Sequence, residues 1–344
     1  MIKKIDNNKI GIIYFYIHFV VEVLSFYFLY SNYKSGIVWL IPLIYDSFAF
    51  VPQALIGYIS DLRKDINIGL IGIVLFFIGY IVFLYIDVSV LVPLFIICLG
   101  NACLHVSGAE ATIKYGSGKL SNTAIFVAGG SFGVMVGRLL SDSLTFGSIL
   151  FVPLVSMIPL VILTHEETKN LTGYTKYSFL KKNVNSYIAI LIAFFVVIIR
   201  GYMGYGIPTS WNKTTLEMIL LFTTMGIGKA LGGILSDKFG IRKVAILSTL
   251  LSIPFLCCGD KLMLVSLFGI CLFSMTMSIT LGIILSVLKS KPGLSFGITT
   301  IGLFLGTVPI FFIKLTFIYN VIMIIVFSII SSILLGSILK GEKQ

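Results

Sequence analysis

His18 and Glu22 stand four residues apart in "HFVVE", inside a run that is otherwise free of charge, and Asp46, His105 and Arg200 are as isolated in apolar runs of their own. A spacing of four puts His18 and Glu22 on one face of a helix. A carboxylate beside an imidazole and away from water is suited to loading and releasing a proton near neutral pH, so Glu22, His18 and Asp46 are the candidate proton-coupling residues. Arg200 offers planar paired donors to a carboxylate or phosphonate and heads the candidate substrate-binding residues. His105 and Asn101, also four apart, and Gln53, two turns after Asp46, complete that group. The alternative for the buried acids and imidazoles is a static interhelical clasp, and for Arg200 a structural ion pair.

The elements that position these groups follow from composition. Of 344 residues, 58% are apolar and 11% charged, with a mean hydropathy of +1.06, more than a core in water requires. Runs of about 20 apolar residues, each long enough for a hydrocarbon layer of about 30 Å, follow one another with short polar breaks. They fall at roughly 10–32, 36–60, 68–86, 89–113, 121–144, 147–164, 186–206, 211–236, 243–258, 262–288, 293–312 and 315–339. "IGLIGIVLFFIGYIVFLYI" is continuously apolar where a membrane strand would alternate, so an all-α integral membrane fold of twelve transmembrane helices is expected. At a rise of about 1.5 Å per residue, His18 and Glu22 lie about 12 and 18 Å into the first helix and Asp46 about 15 Å down the second, near the midplane. Each such group costs on the order of 3 kcal/mol at a helix centre and so needs a partner or water.

The net charge of +11 is a matter of orientation and not of nucleic acid. With both termini on the inner side, eighteen of the 25 Lys and Arg fall on inner segments, and four, Lys34, Lys213, Lys261 and Lys314, on outer loops. Arg138, Arg200 and Lys229 lie within spans; Arg138 is expected to pair with Asp142, and Lys229 to snorkel inward. "MIKKIDNNKI" runs straight into the first span, which is expected to act as its own insertion signal. The five cysteines lack zinc-ligand spacing and are expected to pack as small residues. No metal site and no cofactor is expected, and with no phosphate loop, HExxH or GxSxG the chain is not expected to be an enzyme.

The longest polar break, residues 165–185, divides the spans six and six, giving an N-terminal bundle over 1–164, a cytoplasmic linker and a C-terminal bundle over 186–344. Each half repeats an acid and a basic cluster after its second helix: Gly57, Asp61 and Arg63 in "GYISDLRK", and Gly233, Asp237, Lys238 and Arg242 in "GGILSDKFGIRK". Each also has a glycine-rich fifth helix, "VAGGSFGVMVGRLL" and "GLSFGITTIGLFLGTV". Glycine lets helices approach closely and an Asp favours a neighbouring helix N-terminus, so these seven residues are the candidate gate. Asp237 is expected to contact the N-terminal end of the eleventh helix, near Gly293. Ordinary helix-end charges are the plainer reading.

The loop pattern Gly233-x-x-x-Asp237-Lys238-x-Gly240-x-Arg242-Lys243, with its first-half counterpart, resembles the loop motif of the major facilitator superfamily, and the resemblance spans the whole chain. Three first-half stretches, "HFVVE", "PQALIGYISD" and "LGNACLHVSGAE", are similar to the fosmidomycin-resistance family of exporters. The resemblance implies a monomeric secondary transporter of the bacterial plasma membrane with both termini cytoplasmic. It also implies proton-coupled efflux (antiport) of a small amphipathic or anionic compound by alternating access between two rocking halves. Uptake of a small organic anion is the alternative, and a non-transporting sensor or scaffold a further one. The partners expected are a small molecule, protons and the bilayer.

Overall fold

The computed structural model describes residues 9–32, 40–143, 145–313 and 315–341. Twelve helices or helix pairs long and apolar enough to cross a membrane account for most of them: α1 (Ile10–Ser31), α2 (Leu40–Leu62), α3 (Ile68–Tyr85), α4 (Leu91–Gly116), α5 (Ser121–Leu140), α6 (Phe146–Thr168), α7 (Ser186–Gly206), α8 (Thr215–Phe239), α9 (Ile241–Cys258), α10 (Met263–Val287), α11 (Pro292–Phe311) and α12 (Phe317–Ile338). Among the described residues there is no strand, and an isolated bridge between Leu180 and Leu339 is the sole β pairing. Lys3, Lys4, Lys34, Lys314 and Lys343 of the charge pattern lie outside the described residues.

Local chemistry sets the ends and the breaks. Thr214 and Glu217 form a reciprocal capping box, Thr214 Oγ1 accepting from Glu217 N at 3.3 Å and Glu217 Oε2 from Thr214 N at 2.7 Å, so α8 starts at Thr215 and not near 211. Gly240, at φ 87°, permits the one-residue turn between α8 and α9 that a side chain would oppose. α2 is interrupted at Val51, just before Pro52, whose nitrogen has no hydrogen to donate. α6 continues to Thr168, four residues past its expected end, and Glu166 pairs there with Lys169 at 2.5 Å.

α1, α4 and α10 are the most enclosed spans. By contrast α3, α6, α9 and α12 expose apolar rows such as Ile71, Val74 and Ile78, or Ile322, Ile325 and Ile329, surfaces that call for lipid and not water. α1 packs along α5, α3 along α4, α7 along α11 and α9 along α12; α2 meets α11 and α5 meets α8. The 165–185 segment is anchored and not a loose tether. Tyr177 Oη donates to the Ile113 and Lys119 carbonyls, and Lys181 Nζ to those of Gly336 and Ser337.

The α1–α5 contact explains the glycines of the fifth helix. Side chains at Gly129 and Gly133 would run into the Phe15 and Phe19 carbonyls, and one at Gly133 would also come within 2.7 Å of Glu22 Cβ. One at Gly130 would meet His18 Nε2 at 2.5 Å. Small residues here let α1 approach α5 closely enough to set His18 and Glu22 in the interior.

Candidate functional site

Glu22 is the centre of a buried polar cluster. His18, Glu22 and His105 are 7%, 6% and 6% exposed. Glu22 Oε1 lies 3.3 Å from His105 Nε2 and 3.8 Å from His18 Nε2. Asn101 Nδ2 is 3.2 Å from the same oxygen, 3.1 Å from Ser25 Oγ and 2.9 Å from Tyr45 Oη. The remaining imidazole nitrogens are committed: His18 Nδ1 donates to the Phe126 carbonyl at 2.8 Å and His105 Nδ1 to the Asn101 carbonyl at 3.0 Å. A carbonyl only accepts, so both neutral rings carry their proton on Nδ1 and turn the lone pair of Nε2 toward Glu22. The rings meet edge to face, centroids 4.4 Å apart, with Phe126 and Phe296 against them.

Next to this cluster, Tyr45 and Asp46 line a cavity of about 200 Å³ with Phe26, Tyr30, Tyr205 and Phe311. These residues sit at the ends of α1, α2, α7 and α11 away from the basic loops. The other end is closed by two matched contacts. Asp61 accepts from Gly293 N and Leu294 N at 3.0 and 2.9 Å, where α11 begins, and Asp237 from Leu120 N and Ser121 N at 2.8 and 2.9 Å, where α5 begins. Each acid satisfies free amides at a helix N-terminus and meets the positive end of its dipole. Glycines allow the approach: Gly57 lies against Gly293, and Gly233 against Leu120 and Ala124.

The expectation that Asp237 meets the eleventh helix is thus corrected: Asp61 holds that position and Asp237 holds the start of α5. Asp61 near the end of the second helix faces the eleventh, and Asp237 near the end of the eighth faces the fifth; spacing along the chain carries no sign of that crossing. Arg63 bonds Asp65 in an exposed pair at 3.2 Å, which keeps the Asp65 carboxyl below its ordinary range. Lys238 lies over its neighbour Phe239, 5.1 Å from the ring centre, and Arg242 Nε is buried without a partner.

Among the substrate candidates, Asn101 and His105 belong to the Glu22 cluster. Gln53 does not line the cavity. It is fully buried where α2 meets α11 and donates to the Ala49 carbonyl. Asp46 is on the cavity wall and makes no ion pair with the imidazoles. Arg200 is buried, forms no ion pair among the described residues, and its Nε has no hydrogen-bond partner.

Lys229 does not snorkel but donates to Ser131 Oγ at 2.8 Å, within electrostatic reach of Arg200 and Glu22. Nor does Arg138 pair with Asp142; its guanidinium lies over the Tyr30 ring at 4.9 Å, which stacking on an aromatic face makes favourable. Glu110 pairs with Lys114 one turn away at 3.1 Å. Ser25, Tyr45, Ser131 and Tyr205 were not singled out in the sequence, since hydroxyl residues in apolar helices carry no spacing signal.

This arrangement of helices has solved counterparts. The E. coli fucose:proton symporter FucP superposes with a TM-score of 0.61 over 94% of this chain and 97% of that one, at 15% identity. The fold is that of a major facilitator transporter. A second structure, described as a major facilitator superfamily transporter, FucP, in the outward conformation, gives a TM-score of 0.54 at 17% identity over 93% of this chain and 98% of that one. No family model and no curated protein matches the sequence.

Proposed function

We propose that this protein is a secondary active transporter that moves a small organic anion by alternating access, with a proton as the coupling ion. The observation that carries the reading is Glu22 faced by two imidazole lone pairs. With Glu22 ionised and both rings neutral, three lone pairs converge in a space closed to water, and a single shared proton relieves them. Such a centre is suited to taking up and losing one proton as water gains access from either side.

Two halves, 1–164 and 186–344 with the 165–185 segment between, rock about this centre. The closed contacts of Asp61 and Asp237 and the cavity at the other end correspond to an outward-facing state, if the basic loops lie on the cytoplasmic side of a bacterial plasma membrane. Arg200 and Lys229 come from the second half and form no ion pair among the described residues, which supports an anionic substrate.

Direction is read as efflux, on the similarity of "HFVVE" and the helix 4 stretch to exporters. Uptake is favoured by a different observation, the shared fold of a protein described as a fucose:proton symporter. Purified monomeric protein in liposomes with an imposed pH gradient, screened against pooled labelled carboxylates and phosphonates, decides. Movement against the proton flow supports efflux and movement with it supports uptake. If no compound responds to the gradient, the transport reading is lost and the sensor reading gains.

A further inference from the structure

His18, His105 and Glu22, all buried, each bring one ligand atom to within 4.8 Å of the others, on two helices whose sequence separation hides the grouping, and both His Nε2 atoms face Glu22 Oε1. We propose that these three atoms form a binding site for a divalent first-row transition-metal ion of the zinc or cobalt kind. The donor set decides the class: two imidazoles with one carboxylate suit zinc, cobalt, nickel or copper, whereas magnesium and calcium favour all-oxygen shells.

Orientation and spacing agree with this. A metal-bound histidine ordinarily donates its other ring N–H to a carbonyl or carboxylate, which fixes the lone pair on the metal. Both rings are held so, by the Phe126 and Asn101 carbonyls at 2.8 and 3.0 Å. Bonds of about 2.0–2.1 Å in a tetrahedron give edges of about 3.3–3.4 Å. The His105–Glu22 distance of 3.3 Å is already such an edge, whereas the His18–Glu22 distance is 3.8 Å and the whole set spans up to 4.8 Å, so the His18 ring must draw inward for the ion to be held by all three.

Three protein ligands leave a fourth position open, and Asn101, bonded to both Glu22 and Tyr45, links the cluster to the cavity wall. The cations Lys229 and Arg200 oppose a metal, and the carboxylates of Glu22 and Asp46 offset them, so that once the shared proton has left these four formal charges sum to zero. The ion takes the place of the shared proton, and its binding releases that proton. The site stands on its own geometry and uses the transport reading only to say which proton is displaced.

The test is metal binding by the full chain, purified in detergent without a polyhistidine tag. Titration with Co²⁺ followed by visible absorption, and with Zn²⁺ by calorimetry, is expected to give about one ion per chain, with the proton release seen as a dependence of the calorimetric heat on buffer. His18→Gln, His105→Gln and Glu22→Gln, each checked for an unchanged elution volume, are expected to weaken binding at least about tenfold. No saturable binding by the wild type, or binding that persists with all three residues replaced, overturns the proposal. Because the readout needs no transport, metal binding without gradient-driven transport removes the proposed function alone, and transport without metal binding removes this site alone.

Discussion

Asp237 seats its carboxylate on the backbone N–H of Ser121, 2.9 Å away and 116 residues earlier in the chain. Asp61 does the same to Leu294 at 2.9 Å, across 233 residues. The acid that ends α2 thus caps α11 and the acid that ends α8 caps α5, at the same end of the molecule. The pairing is reciprocal, which two unrelated helix-end charges would not produce.

If these contacts hold the end shut, weakening one shifts the conformational balance. Asp237→Asn retains an acceptor oxygen but loses the charge that meets the α5 dipole, and a loss of about 1.4 kcal/mol would change the population ratio tenfold. The variant is expected to fold and to open more often on the basic-loop side. A cysteine at Leu120, which is 1% exposed while the contact is closed, in a background with the native cysteines replaced, would then label faster with an impermeant reagent from that side. Unchanged labelling and unchanged turnover would reduce both acids to simple helix caps.

The helices were legible because lipid imposes one requirement, continuous apolarity, that every span meets in its own sequence. Their ends were less so: α6 runs on through "HEET" because charged residues at a membrane boundary remain good helix formers. His18 and Glu22 were readable as a pair through their spacing of four. His105, Asn101 and Tyr45 join them only through packing of α1, α2 and α4, which no local pattern encodes. Arg138 and Lys229 went the other way; each had a plausible local resting place, and each is drawn instead to a partner on another helix, Tyr30 and Ser131.

Coupling has its own test. Glu22→Gln keeps the shape of the side chain and removes the charge that the shared proton answers, so it is expected to abolish accumulation driven by a pH gradient. Exchange of labelled for unlabelled substrate at equal pH should continue, since that half-cycle moves no net proton. Counterflow in liposomes with and without a gradient separates the two. Gradient-driven accumulation that survives in the variant would move coupling elsewhere, with Asp46 on the cavity wall the next residue to examine.

Close packing of α1 on α5 predicts a contrast between glycines. Gly133→Ala drives a methyl against the Phe19 carbonyl and Glu22 Cβ, backbone and buried side chain that have little room to yield, and is expected to cost about 1–3 kcal/mol. Gly204→Ala meets nothing within 4 Å and is expected to leave stability unchanged or slightly raised, as alanine favours the helix. Thermal unfolding in detergent compares them directly. Equal unfolding temperatures for the two variants would mean that α1 and α5 do not bear on each other as closely as described.

Arg200 is the sharpest test of what is carried. A buried guanidinium with an unpartnered Nε and no acid within ion-pair distance among the described residues is costly unless a ligand completes it. Arg200→Gln is expected to raise KM for an anionic substrate at least tenfold, corresponding to about 1.4 kcal/mol for a lost charged hydrogen bond, while the protein stays as stable or gains stability because an unpaired charge has gone. Arg200→Lys keeps the charge but not the planar pair of donors, and is expected to recover only part of the affinity. Lys229→Gln should act in the same direction and more weakly, since its ammonium already has Ser131. Should Arg200→Gln instead unfold the protein with KM unchanged in whatever remains active, the arginine is structural, and the anion must be held elsewhere or the substrate carries no charge.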